Sequence, residues 1–263
     1  MPTGSALLDS AELRPLTGRL EEQLLTIALA DLSVPRRVTE LLAAAVHSVS
    51  DRPMDVDLAR AMCIGDRRLL MIELARLAMG NTFWVHPRCV GCGAQFDVRV
   101  DRRELPKKPR AEIYPEIVVD LDGRCIRLRL PSGGDQEDLA GMNACDARAF
   151  LLRRCVSELD GHVPDGPWFC GLALSEVATI EEALEKAAPD VGTTMEVECP
   201  ECGELQRSEF NPYDWQPTQE PLWEEVHVLA ATYHWSEGEI LDLPRSKRQR
   251  YLRLIERSQG VSA

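Results

Sequence analysis

Nine cysteines stand at positions 63, 89, 92, 125, 145, 155, 170, 199 and 202, and four of them form two matched pairs. Cys89-Val90-Gly91-Cys92 is followed by Gly93, and Cys199-Pro200-Glu201-Cys202 by Gly203. Two thiolates two residues apart grip one edge of a metal ion when the chain turns tightly, and the glycine that follows supplies the open backbone angles. One such knuckle offers two ligands; a structural zinc site takes four, in a tetrahedron with sulfur at about 2.3 Å. Cys89, Cys92, Cys199 and Cys202 together complete that set, and the expected cofactor is one structural zinc per chain. Residues 93–198 separate the pairs, so the halves of such a site meet only when the chain folds. Zinc binding of this kind contributes on the order of 10–16 kcal/mol in small finger peptides, against about 5–15 kcal/mol for the net stability of a domain.

The flanks favour metal over redox chemistry. A redox Cys-x-x-Cys usually opens a helix after a strand. Here strand-like runs lie after both pairs, over 95–100 and 204–210, and Thr194–Glu198 alternates before the second. An odd cysteine count and a chain expected to fold in the reducing cytoplasm argue against a disulfide framework. Cys63, Cys125, Cys145, Cys155 and Cys170 read as small buried hydrophobes. His86, three residues before Cys89, is a minor alternative ligand. His227 and His234, seven apart on one expected helix, have no carboxylate pair around them and read as structural or surface polar residues.

The 263 residues carry 30 Lys+Arg against 43 Asp+Glu, a net charge of −13. That balance repels phosphate backbones and anionic lipid headgroups, so nucleic acid is not an expected partner. No apolar run approaches the ~20 residues that span a bilayer, and the first residues show no secretory leader. No nucleophile elbow, P-loop, dinucleotide fingerprint or HExxH helix occurs, and nothing points to an enzyme or to a small-molecule substrate.

The elements that must position the cysteines are mostly helical. Apolar spacing predicts helices over 20–32, 36–49, 56–62, 66–79, 135–159, 175–188, 222–234 and two more after Ser236 and Pro244. Residues 117–130 read as a hairpin turning at Asp122-Gly123, and 161–171 as a loop. The expected class is α+β, mainly helical: a flexible arm over 1–17, an N-terminal helical part over 18–82, a split zinc ribbon with a hairpin and inserted helices over 83–212, and a C-terminal three-helix unit over 213–263.

That last unit has its own character. Trp215, Trp223, Tyr233, Trp235 and Tyr251 concentrate there in a chain only 5% aromatic, beside the one dense basic run, Arg245, Lys247, Arg248 and Arg250. Aromatic and arginine side chains dominate binding hot spots, so these nine residues are the candidate partner-binding surface, with an acidic protein as the fitting partner of the basic run.

The assembled pattern resembles a known family. "IGDRRLLMIELARLAMG", "CVGCGAQFDVRVD", "RLRLPSGGDQEDL", "LLRRCV", "VECPECGELQRSEFNPYDW" and "EEVHVLAATYHWSEGEILDLPRSKRQRYLRLI" follow one another as in the T4-like phage baseplate proteins of contractile phage tails and phage-tail-like injection systems. The resemblance covers about residues 35–257 and implies a non-enzymatic baseplate component, or a factor that assembles the baseplate hub. Its partners would be other baseplate or tail subunits, and its final location a phage-tail-like particle. The competing reading is a zinc-ribbon adaptor or regulator acting on transcription machinery, which the acidic balance disfavours.

Overall fold

The structure is a computed structural model that describes residues 11–109, 117–213 and 220–260. It is α+β and mainly helical, with small antiparallel sheets. The N-terminal part is built from α1 (Gly18–Leu29), α2 (Val34–Ala45), α3 (Val56–Ala61) and α4 (Ile64–Met79). Thr17 caps α1 by accepting from the Leu20 amide, Asp55 caps α3 by accepting from the Leu58 amide, and Gly80, at φ 89°, ends α4. Leu24, Leu42, Leu70 and Met71 form the centre of this core.

Two expectations change here. Residues 46–49 leave the helical path and form β2 (Val46–Val49), which pairs with β1 (Ala11–Leu13) and β3 (Arg52–Pro53). β-branched Val46 and Val49 fit a buried strand better than a helix end. Their partner is part of the segment read as a loose arm, so residues 11–17 are ordered by strand pairing and by the Thr17 cap.

Across the first cysteine pair, β4 (Thr82–Val85) pairs with β5 (Val98–Asp101), and the chain continues to β6 (Lys107–Lys108). A second layer follows. β7 (Ile117–Leu121) and β8 (Arg124–Leu128) make the expected hairpin, with Asp122 and Gly123 both at positive φ, the turn that matches strand twist. The single helix expected over 135–159 is instead α5 (Gly133–Leu139), α6 (Ala144–Cys155) and β9 (Val156–Leu159). Gly141, at φ 92°, breaks it, Asn143 caps its second half, and Val156 and Leu159 pair onto β8. The segment read as a loop holds α7 (Gly166–Gly171). α8 (Leu174–Ala187) covers the sheet with fully buried Ile180 against Ile117, Ile126 and Leu128.

The chain returns through β10 (Asp190–Val191), then β11 (Thr194–Glu198) and β12 (Leu205–Glu209), which pair with each other across the second cysteine pair. β10 pairs antiparallel with β6, Asp190 opposite Lys108 and Val191 opposite Lys107, and the Gly192 amide donates to the Pro106 carbonyl at 2.7 Å. This short ladder zips the chain where residues 109–189 leave and re-enter. It rests on α4: Arg68 pairs with Asp190, and Gly65 lies so close to the Pro189 carbonyl that a Cβ there would stand 1.8 Å from its oxygen. Leu69 and Ile72 of α4 then pack on Val100, Leu105 and Val191.

Charged side chains join the layers. Arg67 is fully buried and donates to the carbonyls of Ala59 and Pro35 and to the Thr39 hydroxyl. Asp135, whose side chain is fully buried, forms a capping box with Ser132 and accepts from Arg129 and Arg154 at 2.6–2.9 Å. Burial would raise the Asp135 carboxyl, but the two guanidinium groups and the Ser132 amide overcome it and hold it well below the usual carboxylate range.

The C-terminal unit comprises α9 (Glu220–Tyr233), α10 (Glu237–Leu241) and α11 (Arg245–Gly260), with Leu229, Ile240 and Ile255 inside. Ser236 and Glu239 form the expected capping box. The unit leans on α1. The Arg245 amide donates to the Leu16 carbonyl, and Gly18 permits close contact with Leu241.

Two outcomes test these joints. Gly65→Ala should overpack the helix against Pro189 and cost about 1–3 kcal/mol in urea unfolding. Asp135→Asn should cost about 2–4 kcal/mol at neutral pH. The wild-type contribution of Asp135 should be complete above about pH 4 and lost as pH falls through that range toward the lowered folded value. The variant should therefore show a flatter acid limb in stability against pH.

Candidate metal centre

Each cysteine pair sits at the turn of a hairpin, and the two turns are built alike. The Cys89 amide donates to the Ala94 carbonyl at 2.7 Å and the Gly93 amide to the Cys89 carbonyl at 3.0 Å. In the second turn the Cys199 amide donates to Glu204 and the Gly203 amide to Cys199, both at 2.9 Å. Gly93 and Gly203 share φ 76°, a left-handed angle that other residues adopt at a cost. The repeated Cys-x-x-Cys-Gly spelling thus encodes one repeated backbone shape.

The hairpins pack face to face and bring all four sulfurs within 4.8 Å of one another. The first cysteine of each pair is buried, the second exposed. Each buried sulfur lies close to the exposed sulfur of the other turn: Cys89 Sγ to Cys202 Sγ at 3.6 Å and Cys92 Sγ to Cys199 Sγ at 3.8 Å. A tetrahedron with sulfur at about 2.3 Å from its centre has edges of about 3.8 Å, whereas a disulfide needs about 2.05 Å. The two distances match such edges, and the four sulfurs could hold one ion. Phe96, Val197, Val98 and Met195 pack around the two buried cysteines.

The electrostatics agree. The Cys92 amide, against some burial and together with the Gly91 amide, pulls the Cys89 thiol down to about 6. The Glu204 amide favours the Cys202 thiolate, but the neighbouring Cys89 and Cys92 sulfurs outweigh it and push Cys202 up to about 12. Four sulfurs this close cannot all ionise alone; a bound divalent cation removes that conflict, because coordinated thiols are deprotonated outright. A set of four thiolates in a tetrahedron suits zinc or iron, and the residues present fit such an ion.

Gln206 had no signature in the sequence beyond its place in a strand. Its side-chain amide spans both hairpins: Oε1 accepts from the Val90 amide at 2.8 Å and Nε2 donates to the Arg88 carbonyl at 3.0 Å. It holds the first knuckle against the second hairpin. Gly91 also faces Glu204 closely enough that a Cβ would touch its side chain at 3.4 Å.

The other candidates fall elsewhere. His86 pairs with Asp97 through Nδ1 at 2.7 Å, outside the sulfur cluster. Cys63 and Cys155 are buried as expected, and burial pushes the Cys155 thiol up to about 11. Cys125, Cys145 and Cys170 are exposed, because they fall on the outward side of a strand or helix. His234 lies past the end of α9 at φ 58°, so it does not share a helical face with His227.

Of the nine partner-binding candidates, Trp215 lies outside the described residues. Trp223, Lys247 and Arg250 are exposed. Tyr233, Trp235 and Tyr251 are half-buried and pack on one another at centroid distances of 4.9–5.6 Å, the first two stacked and Tyr251 edge-on to both, so much of their surface is spent inside the unit. Arg245 is half-buried near Glu21. Arg248 is a correction: it is fully buried, donating to Glu225 at 2.8 Å and to Glu21 at 2.6 Å, and no partner can reach it. The basic run therefore has an inward member that fastens the C-terminal unit to α1. The acid–base pairing across residues 21, 225 and 248 leaves no local pattern in sequence.

Substituting Gln206→Ala should weaken metal binding about 10–100-fold, the usual effect of removing a group that orients a ligand turn. Chelator competition with cobalt or zinc as the probe would read this, and the overall melting profile of the metal-loaded protein should change little.

A protein-family model described as T4 bacteriophage base plate protein matches residues 3–212, well over half of the chain, and the chain belongs to that family. Searches among curated proteins and among solved structures return no match. The family points to a structural phage-tail component that interacts with other tail subunits and assembles into a tail particle. Among the described residues, no helix is long and apolar enough to cross a membrane.

Proposed function

We propose that this chain is a structural or assembly component of the baseplate of a contractile, phage-tail-like injection system, made rigid by a structural zinc ion and docking its neighbours through its C-terminal unit. The observation that carries the reading is the meeting of Cys89, Cys92, Cys199 and Cys202 within 4.8 Å, in a chain whose match to the base plate family spans both pairs. Four thiolates fill a tetrahedral shell and leave no position for a substrate or an activated water, so the site supports a fastening role and not hydrolysis. Zinc is the ion of choice because it takes tetrahedral sulfur ligands without redox chemistry. The paired hairpins are then a split zinc ribbon.

What such a staple does follows from its place. It would lock together the two hairpins that flank the insertion, next to the β6–β10 ladder where the chain leaves and re-enters, and so would brace the base of the inserted layer. A subunit that must hold its shape within a particle under mechanical load benefits from that closure. The docking surface is reduced by the burial of Arg248 and the mutual packing of Tyr233, Trp235 and Tyr251. Trp223, Lys247 and Arg250 are the described members left to meet a partner.

Elemental analysis of the purified protein should give about one zinc per chain. Cys92→Ser or Cys202→Ser should lower the zinc content and reduce the melting temperature by about 10 °C or more. A wild-type content well below one zinc, under non-chelating purification, would sink the zinc assignment. Combining Trp223→Ala, Lys247→Glu and Arg250→Glu should abolish co-purification with the baseplate complex while leaving zinc content intact; unchanged co-purification would refute the docking role.

A further inference from the structure

A groove of about 690 Å³ runs between residues 13–16, the last turn of α4 and the first half of α11. Its floor is apolar: Leu13, Leu16, Leu77, Ala78 and Met79. Leu77 and Met79 are each 39% exposed, at the end of a helix whose Leu69, Leu70, Met71, Ile72 and Leu74 are buried. Its charged lining is of one sign: Arg14, Arg245 and Arg253, with no carboxylate among the lining residues described. Arg245 stands 3.7 Å from Glu21, whose other oxygen is already bound by Arg248. Arg14 gives its Nε to the Val46 carbonyl, and among the described residues neither Arg14 nor Arg253 forms an ion pair. Arg245, Gln249 and Arg253 are spaced four apart, so they form one stripe along the groove wall.

In a chain of net charge −13 this is a local inversion of sign. An acidic partner is repelled by the net charge of the chain and drawn to a place of opposite sign such as this one. An apolar floor edged by guanidinium groups fits apolar side chains flanked by carboxylates, which arginine can bind in bidentate fashion. A phosphate backbone matches the arginines but would leave the floor uncovered. We propose that this groove receives a short acidic, amphipathic segment of a neighbouring protein, its apolar side chains on Leu77 and Met79 and its carboxylates on Arg14 and Arg253. The proposal rests on the reading that the C-terminal unit docks a neighbour, and it identifies the chemistry of one such contact.

The test is fluorescence anisotropy with the full-length protein and a fluorescein-labelled helical peptide of Leu and Glu. The peptide should bind, and binding should weaken with salt and fall about tenfold or more in the Arg14→Glu, Arg253→Glu double variant. A peptide with Gln in place of Glu, oligo-glutamate of equal length and a labelled single-stranded oligonucleotide should all bind more weakly. Equal affinity in the double variant would overturn the proposal, as would oligo-glutamate or the oligonucleotide binding as tightly as the Leu/Glu peptide. Should the double variant melt early, Leu77→Gln decides: it leaves the charge unchanged, and undiminished peptide binding in it refutes the groove. The two readings fail separately, because Trp223, Lys247 and Arg250, whose variant reads co-purification, do not line the groove.

Discussion

Four sulfurs from residues 89–92 and 199–202 must come together before any ion can bind them, and the fold meets that demand by zipping β6 to β10 on the surface of α4. Closing so long a loop costs entropy that grows slowly with its length. The cost is offset by the ladder at Lys107–Lys108 and Asp190–Val191, by the Arg68–Asp190 pair, and by the apolar contacts of Leu69 and Ile72 with Val100 and Val191. Once these are in place, β4–β5 and β11–β12 face each other and the sulfurs fall at tetrahedral spacing. The insertion between the halves is then free to be a folded layer of its own.

The same logic recurs at the other end of the chain. Buried charge costs several kcal/mol unless it is matched, and Arg248 is matched on two sides, by Glu21 from α1 and Glu225 from α9. A buried pair of this kind fixes one arrangement, since leaving any member alone would be costly. It ties the last forty residues, which lie beyond the family match, to the helix nearest the start. Asp135 plays a similar part inside the insertion, capping α5 while joining the segment just after β8 to α6 through Arg129 and Arg154. Charged joints between layers are thus a recurring device in a chain with few aromatic side chains.

The surface proposed for docking is reached by subtraction. Four of the eight described candidate docking residues turn inward or pack on each other, which is what a small three-helix unit must do with its few large side chains. The groove beside Leu77 and Met79 arises only because α11 packs against residues 13–16, so that arginines distant in sequence edge one apolar floor.

By itself the sequence determined the local shapes. Two identical Cys-x-x-Cys-Gly spellings became two identical turns, Asp122-Gly123 became a tight hairpin turn, and Ser236-Glu237-Gly238-Glu239 became a capping box, because each depends on neighbours within a few residues. Net charge and the absence of catalytic spellings likewise needed no coordinates. Tertiary structure decided what depends on distant partners. Val46–Val49 and Val156–Leu159 are short segments with apolar ends that suit helix or strand, and only the presence of β1 and β8 beside them settled the choice. Gln206 is an ordinary strand residue until the other hairpin arrives, and Arg248 one cation in a basic run until two carboxylates close on it. Burial is a property of the assembled chain, and no window of sequence contains the groups that cause it.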